Sequence, residues 1–297
     1  MSRPIDSILI PTDGSEGALV GAKWGIALAS RTGADVHVLS VVEARDDPMA
    51  FDDETLPRLE ASAADAVEAV VELAREANEE LDVTTTVGRG TPFQSIREYA
   101  TRREIDVVAL GTKGRTGLDR FLLGSVTENV LRTARTPVLA VPPAADVAAV
   151  DDVAFDRLLL PTDGSDGAAI AADWGIALAA RLDAMVHALY STDTSPFSGA
   201  REPGDLLEAL ERRGKEAVEA VRERAGDAGV DVSGSIATGS AADVIITYAA
   251  DHGVDLIVMG THGRTGIGQW FLGSVTENVV RGADEPVFCV PVSAPSP

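Results

Sequence analysis

GTKGRTGLDRFLLGS, residues 111–125, returns 149 positions later as GTHGRTGIGQWFLGS, residues 260–274. The glycine spacing is the same in both. Gly111, Gly114 and Gly124 precede Ser125, and Gly260, Gly263 and Gly273 precede Ser274. The match continues outward from the loop. SVTENVLRTARTPVLAVP is answered by SVTENVVRGADEPVFCVP, and ILIPTDGSEGALVGAKWGIALASRTGADVHVLS by LLLPTDGSDGAAIAADWGIALAARLDAMVHALY. A repeat this long is a whole domain, well beyond the unit of a solenoid. The 297-residue chain therefore reads as a tandem duplication: domains over 1–143 and 156–293, joined by a linker over 144–155.

Each half alternates strand and helix patterns. In the first half the strands are SILIPT, DVHVLSVV, DVTTTVG, DVVALGT and PVLAVP, with helical periodicity in ALVGAKWGIALASRTG and PFQSIREYATRREI between them. The first and fourth strands are nearly all apolar, as central parallel strands covered on both faces must be. The fold class expected is α/β, with two tandem doubly wound, Rossmann-like domains, each built on a five-stranded parallel sheet. Right-handed crossovers then put a ligand crevice at the carboxyl ends of the central strands.

The glycine loop leaves the fourth strand at that end. Glycine permits tight turns and close backbone approach to a ligand. Ser125 reads as the N-cap of the helix that follows, whose free amides suit a phosphate, and Thr127 adds a hydroxyl in its first turn. Neither the P-loop nor the G-x-G-x-x-G dinucleotide pattern is present. PTDGS, at the end of the first strand, would bring Asp13 to the same crevice. A carboxylate beside phosphates acts on a divalent cation or a ribose hydroxyl. The plainer alternative is that Asp13 or Ser15 caps the first helix.

On these motifs the chain resembles a tandem universal stress protein of the UspA-type family, in its ATP-binding subgroup. That subgroup carries G-2x-G-9x-G-[ST], and the resemblance spans nearly the whole chain. It implies ATP, with Mg2+, as the cofactor of each domain. In the first half, Pro11, Thr12 and Asp13 would line the adenine and ribose side, and Val41 would present backbone to adenine. Gly111, Thr112, Gly114 and Arg115 would wrap ribose and phosphate, and Gly124, Ser125, Val126 and Thr127 would take the phosphates. The matching positions are Pro161, Thr162, Asp163, Ser191, Gly260, Thr261, Gly263, Arg264, Gly273, Ser274, Val275 and Thr276. Asp13 and Asp163 are the metal candidates. Ser191 in place of Val41 is a departure, as is His262 in place of Lys113. The resemblance also implies that the final strands, PVLAVP and PVFCVP, pair to make an intramolecular pseudo-dimer, with a homodimer of chains as a further step.

Composition narrows the setting. The net charge is −22, divided as −9 over 1–147 and −13 over 148–297, and lysine occurs only at Lys23, Lys113 and Lys215. Such a surface suits a high-salt, halophilic cytoplasm, where counterions screen self-repulsion. It argues against nucleic acid or anionic membrane as partners. No apolar run approaches the roughly 20 residues of a membrane span, and the N-terminus enters a strand without a signal-peptide pattern. A single cysteine, Cys289, excludes an internal disulfide. His37, His187, Trp24 and Trp174 read as packing residues. The acidic stretches after each second strand, residues 44–60 and 191–205, read as solvated connections. No dedicated general base or nucleophile pair stands out in either loop. The function expected is an ATP-binding protein with a regulatory or protective role in stress response, and a slow ATP hydrolase is the alternative.

Overall fold

The structure, a computed structural model, describes residues 5–43, 55–114, 123–193, 204–263 and 272–297. The chain divides into two compact units, with the boundary between Val153 and Ala154.

In the first unit the elements are β1 (Ser7–Pro11), α1 (Glu16–Thr32), β2 (Asp35–Glu43), α2 (Thr55–Ala77), β3 (Val83–Gly90), α3 (Pro92–Arg102), β4 (Val107–Gly111), α4 (Ser125–Thr133) and β5 (Val138–Val141). The strand order is β3-β2-β1-β4-β5, and each neighbouring pair is parallel. The order reverses direction between β1 and β4, so the crevice of an open parallel sheet opens there. All five residues of β4 are buried. β3, at the end of this order, alternates between half-buried and exposed positions, as a strand with one outer face does.

The second unit repeats the plan with β6 (Arg157–Pro161), α5 (Asp166–Leu182), β7 (Met185–Thr192), α6 (Gly204–Ala228), β8 (Val232–Thr238), α7 (Ala241–His252), β9 (Leu256–Gly260), α8 (Ser274–Gly282) and β10 (Val287–Val290). Its strand order is β8-β7-β6-β9-β10, with parallel neighbours throughout.

Local chemistry sets the first helix of each unit. Ser15 caps α1 by accepting from the Ala18 amide at 3.2 Å, and Gly33 ends it in the left-handed region at φ 72°. Ser165 caps α5 in the same way through Ala168, and there Asp183 takes the left-handed position at φ 56°. Of the two capping candidates, the serine is the cap.

Two expectations change. Residues 55–60, read as solvated connection, form the first turns of α2, and only 44–54 of that stretch lie outside the described residues. Residues 144–155, read as a linker without pattern, are not a free tether. Two 3₁₀ turns, Pro143–Ala145 and Val150–Asp152, lay this segment against α1. The Trp24 indole N–H donates to Ala145 O at 2.8 Å, Lys23 Nζ reaches Asp146 Oδ1 at 2.8 Å and Val147 O, and Arg31 donates to Val153 O at 2.9 Å. Val150 and Val153 are buried. The tail of the second unit does the same job, with Trp174 Nε1 donating to Pro295 O at 3.0 Å. Both tryptophans are therefore buried packing residues that also hold a polar tether.

Candidate functional site

Three short segments meet at the reversal point between β1 and β4: the turn after β1, the loop after β4 and the start of α4. Asp13 organises the turn. Its Oδ1 accepts from the Ser15 amide at 3.0 Å and from the Ser15 hydroxyl, while Thr12 Oγ1 accepts from the Gly14 amide at 3.1 Å. Thr12 is anchored to the sheet through its amide, which donates to Leu39 O.

The other carboxylate oxygen of Asp13 faces the loop. A Cβ added to Gly114 would stand 3.0 Å from Asp13 Oδ2, and one added to Gly124 would stand 3.1 Å from Thr112 O and 3.8 Å from the Gly114 nitrogen. Asp13, Gly114 and Gly124 are thus brought together, as the sequence suggested. The loop is pinned at its base. The Thr112 amide donates to Val141 O, the Gly124 amide to Thr112 O at 2.8 Å, and Thr127 Oγ1 to Gly111 O at 2.8 Å.

The N-cap of α4 is Gly124 at φ −61°, ψ 139°, and among the described residues no side chain caps the helix; Ser125 is its first helical residue and is exposed. The cap expected of Ser125 is corrected accordingly. The first amide bonded within the helix belongs to Glu128, which donates to Gly124 O. The amides of Ser125, Val126 and Thr127 precede it and carry the positive end of the helix dipole. The Thr127 hydroxyl, by contrast, is buried and spends its proton on Gly111 O, so it fastens the loop.

The glycines have a reason that the sequence did not give. A Cβ on Gly111 would lie 2.0 Å from Gly17 O, and one on Gly17 would lie 2.1 Å from Lys113 O. Gly21 is pressed against the Gly111 nitrogen and Gly25 against Ala109 and Ile10. One glycine face of α1, at positions 17, 21 and 25, therefore packs on the end of β4 and the root of the loop. The i, i+4, i+8 spacing was the available signal. Gly111, Gly114 and Gly124 are not among the positive-φ residues, so close approach, and not a left-handed backbone, demands glycine at them.

The second unit copies the turn and loop contacts, with Ala171 on α5 where α1 has Gly21. Asp163 Oδ1 accepts from the Ser165 amide, Thr162 Oγ1 from the Gly164 amide, and Thr276 Oγ1 donates to Gly260 O at 2.8 Å. A Cβ on Gly263 would meet Asp163 Oδ2 at 2.9 Å, and one on Gly273 would meet Thr261 O at 3.1 Å. Gly273 is the N-cap of α8, Ser274 and Val275 are exposed in its first turn, and Thr261 is buried. His262 Nδ1 lies 3.0 Å from Thr261 Oγ1. Pro11 and Pro161 end β1 and β6 at these crevices. Val41 stays on β2 beside Gly88, whereas the Ser191 hydroxyl donates to Gly239 O at 2.9 Å, so the two crevices differ on that side. Arg115 and Arg264 lie outside the described residues.

Residues 4–142 and 154–291 each match the universal stress protein family. The chain belongs to that family. Universal stress protein MJ0531 of Methanocaldococcus jannaschii is 39% identical over 139 residues, 46% of this chain and 82% of that protein. Universal stress protein Rv2005c of Mycobacterium tuberculosis is 28% identical over 97% of this chain and 98% of its own length, so the doubled arrangement is shared. A universal stress protein from Archaeoglobus fulgidus superposes with a TM-score of 0.73 over 97% of this chain and 99% of that one, at 22% identity. Among the described residues no helix is long and apolar enough to cross a membrane.

Proposed function

We propose that this universal stress protein holds an adenine nucleotide, ATP, in each unit, and that occupancy serves a regulatory or protective role in stress response. The observation that carries this reading is the juxtaposition of the Asp13 carboxylate, Gly114 and the uncapped start of α4 at the sheet's reversal point, repeated at Asp163, Gly263 and α8. Free amides at a helix start attract phosphate. A carboxylate alongside has two uses, on a ribose hydroxyl or on a cation that accompanies the phosphates. One carboxylate fits Mg2+, which takes one or two protein ligands and completes its shell from phosphates and water. Asp13 and Asp163 would hold the ion, which would neutralise phosphate charge. Pro11, Thr12, Val41, Gly111, Thr112, Ser125 and Val126 would line the first site, and their counterparts the second. A halophilic cytoplasmic setting and the pairing of the final strands belong to the same reading.

Calorimetric titration of the full chain with ATP and Mg2+ tests it. At a hundredfold excess over the dissociation constant, binding to the native state alone raises stability by about 2.7 kcal/mol. Gly114→Val and Gly263→Val should each remove one site. Absence of both binding heat and a melting shift in the wild type would reject the reading.

A further inference from the structure

In the first unit α3 and α4 enclose a small cleft that the nucleotide reading does not use. Its floor is apolar, with Ile96, Val108 and Val130 buried there. Arg97, half-buried, and Arg135, exposed, both line it, and no acidic residue does. Neither arginine side chain has a hydrogen bond or ion pair among the described residues. Carboxylates are plentiful in a chain with 47 acidic and 25 basic residues, and Arg75, Arg89 and Arg132 each meet a glutamate. The two cleft arginines do not. The hydroxyls of Thr101 and Thr133, also in the lining, donate to Arg97 O at 2.8 Å and Asn129 O at 2.7 Å, so they bring no proton to the cleft. The last carbonyls of α4, which ends at Thr133, carry the negative end of its dipole. That end accounts for Arg135 just beyond it. Arg97 lies in the middle of α3 and has no such reason to be there.

We propose that this cleft binds one small inorganic anion of the chloride type, with Arg97 as its principal ligand and Arg135 beside it. The cleft has room for a single water-sized particle, which excludes a nucleotide or an organic acid and suits a monatomic ion. A guanidinium is weakly hydrated, so it loses little on meeting an anion above apolar side chains. Two full positive charges outweigh the roughly half charge at the end of α4. Thr101 and Arg135 are exposed, so the ion keeps part of its water and escapes the cost of full burial.

The second unit is an internal control. Ile246 stands at the position of Arg97, Gly282 at that of Thr133, and Asp284 and Glu285 at those of Arg135 and Thr136. A Cβ on Gly282 would lie 2.9 Å from Ile246 Cδ1, so the isoleucine fills the space that the glycine leaves between α7 and α8. Carboxylates replace the cationic side there, and an anion would be repelled. The duplication thus carries one anion cleft and one filled copy.

Crystals of the full chain soaked in molar sodium bromide test the proposal, bromide being a heavier stand-in for chloride. An anomalous peak is expected against Arg97 in the first unit, and none between α7 and α8. In solution, the line width of chloride magnetic resonance reports exchange with the bound ion. Arg97→Gln removes the charge at similar length and should lose the broadening that wild type shows. Arg102→Gln, on the same helix but outside the cleft, should keep it. Thermal melting confirms that both variants fold. No bromide peak in the cleft, or equal broadening by the two variants, would overturn the proposal. A peak that persists in Arg97→Gln crystals would be an adventitious ion only, and would overturn it as well.

Discussion

Gly111→Ala adds a single methyl group at a point where backbone meets backbone. The new Cβ would stand 2.0 Å from Gly17 O and 2.6 Å from the Gly17 carbonyl carbon, where real contacts stay above 3.0 Å. Either α1 or the end of β4 must retreat by about 1 Å, and neither is a flexible side chain. Overpacking costs about 1–3 kcal/mol, and a rigid neighbour puts this case at the upper end. For a domain of this size each kcal/mol shifts the melting point by about 2–4 °C, so a loss of about 6–12 °C is expected in that unit. Gly114→Ala is the matched comparison. Among the described residues its Cβ would meet only the Asp13 side chain, with the carboxylate oxygen at 3.0 Å, and a side chain can turn aside. The fold should hold within about 0.5 kcal/mol, while the carboxylate is displaced from the crevice. Scanning calorimetry of both variants beside wild type decides. If Gly111→Ala melts like wild type, or if Gly114→Ala is the more damaging, the close-approach account of the loop glycines is wrong.

Stability should rise from dilute buffer to molar potassium chloride. The net charge is −22, and the screening length falls from about 10 Å at 0.1 M to about 3 Å at 1 M. A flat or falling melting curve would remove the role assigned to self-repulsion. His37 and His187 both have pKa values lowered by burial first, then by Arg103 for His37 and by His252 and Arg157 for His187. The unfolded chain therefore takes up their protons first: their contribution is intact above about pH 6.5 and lost as pH falls below it. Proton resonance titration of the native histidines should show both midpoints below the free value, and midpoints at or above it would contradict the burial argument. The Cys289 thiol is fully buried and its pKa is pushed up to about 12, so it should resist thiol reagents in the native state and react on denaturation. Rapid native labelling would show that β10 opens.

Repetition made the fold legible. Two copies of PTDGS and of the glycine spacing located the ends of β1 and β4, and apolar β4 identified itself as a central strand. Asp13 and Gly114 could be paired from the sequence because a doubly wound order leaves their strands adjacent. The face of α1 that demands Gly17, Gly21 and Gly25 was visible as spacing, but its partner was not. For Gly17 and Gly21 that partner is the backbone of residues 110–113, which has no sequence identity to read, while Gly25 meets the side chains of Ala109 and Ile10. The same limit hid residues 143–153. Apart from the Asp146 carboxylate, their anchors are carbonyl oxygens of Ala145, Val147 and Val153, and any residue type offers a carbonyl. Ser125 misled for a related reason: serine is a good cap, but Gly124 already occupies that place and the serine falls one residue inside.

The segment after β5 changes what counts as a complete half of this protein. The family match ends at residue 142, yet Lys23, Trp24 and Arg31 on α1 find their acceptors among residues 145–153. A fragment cut at 142 would remove the carbonyl to which the buried Trp24 indole N–H donates, and would uncover the ground beneath Val150 and Val153. Each repeat therefore carries its own binding strip, and the smallest piece able to keep its first helix covered runs through Val153.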